Sequence, residues 1–253
     1  MNTRQQKRRW FWLLIPAALG ICGVWWYFQS PPDVHLPDSL AAELPPQCLQ
    51  VVLVQVRAPH ESQGQLSLHQ RTSPTAPWVQ VTPPIPVVIG KNGLAWGLGE
   101  HRHPPPDGFR LKLEGDGCSP AGIFRLPYAF GYSQAPVGIR LPYQQLTPTH
   151  HGVDDPQSRF YNQVVDTNLV QRDWNSHETM LREDGLYRFG AFVAHNPENH
   201  PGKGSCIFLH LWRGPAQGTA GCTAMSEADL LHVLHWLDAT REPRLIQCLA
   251  DSR

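Results

Sequence analysis

The chain has 253 residues, of which 41% are hydrophobic and 17% charged, and its formal net charge at pH 7 is zero. A net charge of zero gives no indication of nucleic-acid binding. Its 25 prolines and 21 glycines predict many turns and few long helices. We therefore expect a mainly β domain.

The first 28 residues predict a membrane anchor. Residues 1–9 carry four basic side chains and no acidic one, and residues 10–28 form an uncharged run with tryptophans near both ends. Such a run is long enough to span a hydrocarbon core of about 30 Å, and tryptophans favour the membrane interfaces. Because basic ends stay in the cytoplasm, we expect a single-pass inner-membrane protein with its remainder in the periplasm. No Ala-x-Ala pattern follows, which favours a retained anchor over a cleaved signal peptide.

Residues 29–48 contain five prolines and predict a linker, which leaves residues 49–253 as one large domain. Short β-branched runs bounded by turn residues are typical of sandwich strands. We predict strands at 49–56, 66–70, 78–81, 86–89, 122–125, 161–165, 186–195, 207–212 and 245–249.

One helix is predicted near the end of the chain. Ser226 can cap its first turn, and Glu227 and Asp229 suit the positive end of the helix dipole. Pro243 marks its end. Its apolar face has helical spacing, with Leu230, Val233, Leu234 and Leu237.

A histidine and a cysteine near this helix suggest covalent catalysis. His210 closes an apolar strand-like run, and Cys222 follows twelve residues later in the string Thr-Ala-Gly-Cys-Thr-Ala-Met. A thiolate is the reactive form of cysteine, and a neighbouring imidazole can take its proton. Gly221 allows backbone N–H groups to turn toward an oxyanion. The alternative is a buried free cysteine beside a structural histidine.

This stretch resembles the L,D-transpeptidase catalytic domain (YkuD-like) family. The family signature has a histidine at a strand end, then Ser/Thr-His-Gly-Cys, and here His210, Thr219, Gly221 and Cys222 match it. The string at 114–124, Glu-Gly-Asp-Gly-Cys-Ser-Pro-Ala-Gly-Ile-Phe, is similar to the family's Gly-rich turn upstream of the site. The resemblance covers roughly residues 49–249.

The resemblance implies an L,D-transpeptidase-like β-sandwich that acts on peptidoglycan stem peptides without a cofactor or metal. Cys222 would be the nucleophile and His210 the base, with the backbone near Ala220 and Gly221 holding the oxyanion. An amine would resolve the acyl-enzyme by cross-linking, or water would resolve it as in an L,D-carboxypeptidase.

The chain departs from the signature at two positions. Ala220 stands where the family has histidine, and Ala224 stands where it has arginine or asparagine. The gap between the histidine and the cysteine is also shorter than usual. These departures suggest a divergent branch of the family. The sequence leaves the acceptor open.

Three further residues are candidates for substrate contact: Thr219, Trp212 and His195.

Two other functions stay open. Thirteen histidines allow a zinc-dependent D,D-peptidase, although no HExxH-type spacing is present. The domain could also be a non-catalytic module that binds the cell wall.

The cysteines predict a redox pattern. Five of the six follow the predicted anchor, so an oxidising compartment would leave one unpaired, which suits a nucleophile. Cys48 with Cys248, and Cys118 with Cys206, are the expected disulfides, the first joining the two ends of the domain.

Overall fold

The computed structural model describes residues 36–250, and this part of the chain is mainly β with a sandwich-like arrangement. Its helices are α1 (Asp38–Ala41), α2 (Glu227–Trp236) and a 3-10 turn at Ala239–Arg241. Its strands are β1 (Gln50–Val56), β2 (Gln63–Gln70), β3 (Val79–Gln80), β4 (Ile85–Val88), β5 (Leu94–Trp96), β6 (Ser119–Arg125), β7 (Ala129–Gly131), β8 (Tyr143–Gln145), β9 (His150–Val153), β10 (Gln163–Asp166), β11 (His177–Thr179), β12 (Phe189–Phe192), β13 (Phe208–Leu211), β14 (Thr223–Met225) and β15 (Arg244–Leu249).

Twelve strands form one large sheet in the order β5-β6-β15-β1-β2-β4-β14-β13-β12-β7-β8, with β3 added beside β2. The first and last long strands are parallel neighbours, with Val51 opposite Arg244. A second sheet has only three strands, in the order β10-β9-β11.

The large sheet buries both faces because successive side chains of a strand alternate between them. In β1, Val52 and Val54 join the main core, whereas Val51 and Leu53 join a second cluster on the opposite face. Helix α2 and the residue after it add Leu230, Val233, Leu234 and Leu237 to the main core. Its predicted cap is confirmed, since the Ser226 hydroxyl accepts a hydrogen bond from the Asp229 backbone N–H.

The second cluster is closed by residues 36–48, the later part of the Pro-rich stretch that the composition predicts as a linker. Leu36, Leu40, Leu44 and Cys48 are buried and pack with Val51, Leu53, Ile123 and Ile246. An apolar residue at every fourth position provides one continuous apolar face for a helical or turn-like segment. This part of the stretch is therefore packed against the sheet.

The small sheet belongs to a long excursion between β8 and β12 and covers part of the large sheet. Leu146 and Met180 from this excursion pack with Phe208 of β13 and with Cys222. The backbone of β9 comes so close that a side chain at Gly152 would stand 3.2 Å from both the Cys206 and Met180 sulfurs. The excursion therefore forms a cover over the region of Cys222.

The predicted cytoplasmic tail (1–9), the predicted span (10–28) and the start of the predicted linker lie outside the described residues. Within 36–250, no helix has the length and hydropathy needed to cross a bilayer.

The predicted disulfides are absent. Cys48, Cys118 and Cys206 are free thiols. Cys48 precedes the start of β1, whereas Cys248 lies opposite Gln55 near the end of that strand. Because β1 and β15 are parallel, seven residues separate the two cysteines along the sheet, or about 23 Å at the usual rise. A disulfide needs Cα atoms within about 7 Å.

Candidate functional site

Strands β13 and β14 bring His210 and Cys222 to the same face of the large sheet. The two strands are parallel, with His210 opposite Ala224. Cys222 lies two residues before Ala224, so its side chain projects from the face that carries His210. Such diagonal neighbours in a sheet have Cα atoms about 7–8 Å apart, within reach of long side chains. The His–Cys spacing in the sequence thus becomes one local cluster.

His210 is oriented by a single backbone carbonyl. Its Nδ1 atom lies 2.7 Å from the Leu211 carbonyl oxygen. A carbonyl only accepts hydrogen bonds, so Nδ1 carries the proton and Nε2 keeps its lone pair. The side chain is 5% exposed, and this burial lowers the pKa of His210 to about 4. His210 is therefore a neutral imidazole with Nε2 as its basic atom at neutral pH.

The Cys222 thiol is held by the backbone of the strand beside it. Its Sγ accepts a hydrogen bond from the Phe208 N–H at 3.3 Å and donates one to the Cys206 carbonyl oxygen at 3.6 Å. The residue is 6% exposed, and burial raises the pKa of the Cys222 thiol well above its ordinary value. Lys112 and Arg182 oppose this rise in pKa.

Both members of the pair are neutral at pH 7 in this arrangement. Burial acts against the thiolate and against the imidazolium alike. Among the described residues, Cys222 and His210 are hydrogen-bonded to backbone groups and not to each other. The pair is therefore not a thiolate–imidazolium ion pair in this arrangement.

The loop that delivers Cys222 is fixed by two hydroxyl groups. Thr219 Oγ1 donates to the Cys222 carbonyl oxygen at 2.6 Å and accepts from the Gly221 N–H at 3.1 Å. Ser119 Oγ donates to the Gly221 carbonyl oxygen at 2.7 Å. Thr219 thus has a structural role here, and the Gly221 N–H is already occupied. Of the two predicted oxyanion positions, only the exposed Ala220 has a backbone N–H without a hydrogen-bond partner in the described chain.

The Gly-rich string at 114–124 supports this loop from below. Gly221 packs against it so closely that an added Cβ would stand 3.1 Å from the Cys118 carbonyl oxygen. Asp116 Oδ1 accepts from the Cys118 N–H at 2.8 Å and forms an ion pair with buried Lys112 at 2.6 Å. The two motifs that carry the resemblance are therefore in contact.

A tyrosine and a glutamate complete the surroundings of the pair. The Tyr187 ring lies 5.2 Å from the His210 ring, edge to face, and its hydroxyl donates a hydrogen bond to Glu178 Oε2. Burial raises the pKa of Glu178 and of Tyr187. The hydrogen bond to Glu178 ties Tyr187, and through it His210, to β11, a link that no local pattern reveals.

His195 does not line the site. It is buried, its Nδ1 accepts from the Leu98 N–H at 3.3 Å, and its Nε2–H donates to the Lys203 carbonyl oxygen at 2.9 Å. Burial lowers the pKa of His195 to about 4. With both nitrogens engaged, it links two loops and has no atom left for a substrate.

Trp212 directly follows β13 and is partly buried, with its backbone N–H bonded to the Met225 carbonyl oxygen. No contact places its ring beside Cys222 or His210 among the described residues. Substrate contact by Trp212 stays a prediction.

Across residues 36–250, no three His, Cys, Asp or Glu side chains are arranged to hold a metal ion. The two closest histidine rings, those of His151 and His177, stack 3.8 Å apart and do not converge on a common point. The zinc-peptidase alternative therefore gains no support from the arrangement of side chains.

Comparisons with protein-family models, curated proteins and solved structures found no match to this chain.

Proposed function

We propose that this protein is a membrane-anchored L,D-transpeptidase-like acyltransferase that acts on peptidoglycan stem peptides from the periplasmic side of the inner membrane. The observation that carries the proposal is the orientation of His210. Leu211 fixes its tautomer so that the basic Nε2 is available on the sheet face that bears Cys222. A nucleophile, a base and a group that orients the base form the arrangement expected of covalent catalysis.

The first half-reaction makes a thioester. Cys222 Sγ attacks the carbonyl carbon at the L-centre of the diamino acid, and the thiol proton passes to His210 Nε2. The tetrahedral intermediate then expels D-alanine: its C–N bond breaks, and the His210 proton goes to the leaving amine. The N–H of Ala220 would stabilise the oxyanion.

The second half-reaction regenerates the thiol. An amine of another stem peptide, or a water molecule, loses a proton to His210 and attacks the thioester carbon. The C–S bond breaks, and Sγ takes the proton back. The products are a cross-link or a shortened stem, respectively.

The burial of Cys222 favours one competing proposal, a non-catalytic module that binds the cell wall. A thiol that is 6% exposed and bonded to backbone groups resembles a structural cysteine. The two proposals differ in whether a substrate-like electrophile reaches the thiol.

Acylation by a carbapenem separates the two proposals. We expect the full chain to gain the mass of one intact drug molecule, attached at Cys222. Cys222→Ala should not react, and His210→Gln should react at least about 100-fold more slowly because the general base is lost. Cys48→Ala, which changes a buried thiol in a different cluster of the core, should react as the wild type does.

The transpeptidase proposal fails if the wild-type chain gains no mass, or if Cys222→Ala is still acylated. In the first case, co-sedimentation of the unlabelled protein with insoluble peptidoglycan would support the wall-binding module.

A further inference from the structure

A second cleft, separate from the surroundings of Cys222, lies behind the nucleophile loop. It has a volume of about 590 Å³ and is formed by the β1–β2 loop, the β4–β5 turn, the β5–β6 loop and the end of β15. This volume falls in the range of small-molecule sites, about 300–1,000 Å³. Neither Cys222 nor His210 lines it.

Two positive charges in this cleft have no negative partner. Lys91 and Arg110 both line it, and neither forms an ion pair with any residue that the structure describes. The Lys91 ammonium makes no hydrogen bond within this part of the chain. Arg110 Nη2 is held by the Asn92 carbonyl oxygen at 2.7 Å, which keeps the guanidinium at the cleft wall. One carboxylate, Asp107, also lines the cleft, so the fixed charge is positive overall.

The other residues that line the cleft determine which class of anion it can bind. Leu94, Phe109 and Leu249 give the cleft a mainly apolar surface. A polyanion such as a phosphate ester would meet Asp107 and these apolar walls, at a cost in desolvation. A single carboxylate flanked by small apolar side chains satisfies both features, because the guanidinium and ammonium groups can bind the carboxylate.

The cleft is joined to the nucleophile by a short path of hydrogen bonds. The Lys91 N–H donates to the Thr219 carbonyl oxygen at 2.8 Å. Thr219 Oγ1 in turn donates to the Cys222 carbonyl oxygen at 2.6 Å. The turn that carries Lys91 is also fixed to the same loop through Ser119, whose Oγ accepts from the Gly90 N–H. A ligand that binds Lys91 thus contacts a turn that is hydrogen-bonded to the loop carrying Cys222.

We propose that this cleft binds the terminal carboxylate of a short peptide with small apolar side chains, through Lys91 and Arg110. Assigning that peptide to the peptidoglycan stem rests on the proposed function, whereas binding of the carboxylate does not. The cleft would then be a binding site for the free end of a stem, apart from the carbonyl that Cys222 attacks.

Isothermal titration calorimetry with N-acetyl-D-alanyl-D-alanine and with its C-terminal amide tests the proposal. The two probes differ only in the charge of the end group. We expect the acid to bind the full chain at least about tenfold more tightly than the amide. Lys91→Gln and Arg110→Gln should each weaken binding of the acid by about tenfold and leave binding of the amide unchanged.

Lys203→Gln is the matched control, since Lys203 is exposed, forms no ion pair among the described residues and does not line the cleft. Thermal melts establish that the variants are folded. If Arg110→Gln melts lower because it loses its bonds to the β4–β5 turn, Lys91→Gln decides, because its side chain makes no bond that supports the fold. Equal binding of acid and amide, wild-type affinity in Lys91→Gln, or equally strong displacement by acetate or inorganic phosphate would each overturn the proposal.

These results are independent of the carbapenem experiment. Carbapenem labelling without carboxylate binding removes the cleft and keeps the acyltransferase. Carboxylate binding that depends on Lys91, in a chain that the drug does not label, keeps the cleft and removes the acyltransferase.

Discussion

The burial of His210 and His195 makes the free energy of unfolding depend on pH. Burial lowers the pKa of each to about 4, whereas an unfolded chain has histidines near about 6.5. Between these values the unfolded state binds more protons than the folded state, so protons favour unfolding. The stability that the neutral rings support is fully present above about pH 6.5 and is lost as the pH falls toward 4.

We therefore expect the free energy of unfolding to fall between about pH 6.5 and pH 4, with each of these histidines contributing up to about 1.4 kcal/mol per pH unit. In His210→Gln the decline should be shallower by one such contribution. Urea unfolding curves across this pH range provide the measurement. His232→Gln, on the exposed side of α2, serves as the control and should keep the wild-type slope. A decline in His210→Gln as steep as in the wild type would contradict the buried neutral state.

At the scale of residues, the sequence identified His210 and Cys222 but not their hydrogen bonds, their neighbours or their burial. The strand that carries His210 and the Gly-Cys turn after it are local patterns; the strand is confirmed as β13, and the turn directly precedes β14. The Leu211 carbonyl, the Tyr187 ring and the closure over Cys222 depend on contacts between distant segments. No spacing along the chain specifies them.

At the scale of elements, the short helix α1 shows how a proline-rich segment can pack against a sheet. Leu40 is 8% exposed and packs in the cluster that covers the far face of β1 and β15. Removing a buried leucine side chain loses burial and leaves a cavity that only partly relaxes.

Leu40→Ala should therefore lower the free energy of unfolding by about 2 kcal/mol, at the low end for leucine because the segment is at the edge of the fold. Ser39→Ala, one residue earlier and exposed, should have almost no effect. Chemical denaturation of the two variants beside the wild type measures the difference. Equal stability of Leu40→Ala and Ser39→Ala would show that this segment contributes nothing to the fold.

The sequence predicted most closely the elements with a long apolar pattern. The seven residues of β1 and the ten of α2 carry a full apolar pattern and a cap, and both are found where predicted. Strands β9, β11 and β14 have only three or four residues each and were not predicted. Pairing with a neighbour, and not their own composition, makes them strands.

At the scale of the whole molecule, the fold is held without the disulfides that its cysteines suggested. Cys48, Cys118, Cys206 and Cys222 are buried free thiols. The two ends of the domain are instead joined by the parallel pairing of β1 and β15. Counting cysteines could not reveal this, because the distance between Cys48 and Cys248 depends on the direction of the last strand.

We expect a reducing agent to leave the melting temperature of the protein unchanged. Alkylation of the denatured, unreduced chain, followed by peptide mass analysis, should modify all four of these thiols. A lower melting temperature in the presence of reductant, or protection of Cys48 from alkylation, would indicate a covalent cross-link that this fold does not contain.

The excursion that carries Leu146 and Met180 over Cys222 also bears on the kinetics of any reaction at the thiol. Chemistry there has to wait for a fluctuation that uncovers the sulfur, so an encounter in the resting form is unproductive. At low reagent concentration the observed rate follows the fraction of time the cover is open, and at saturating concentration it is limited by the rate of opening. The protein can then discriminate between reagents by the lifetime of the non-covalent complex that each forms before any bond is made.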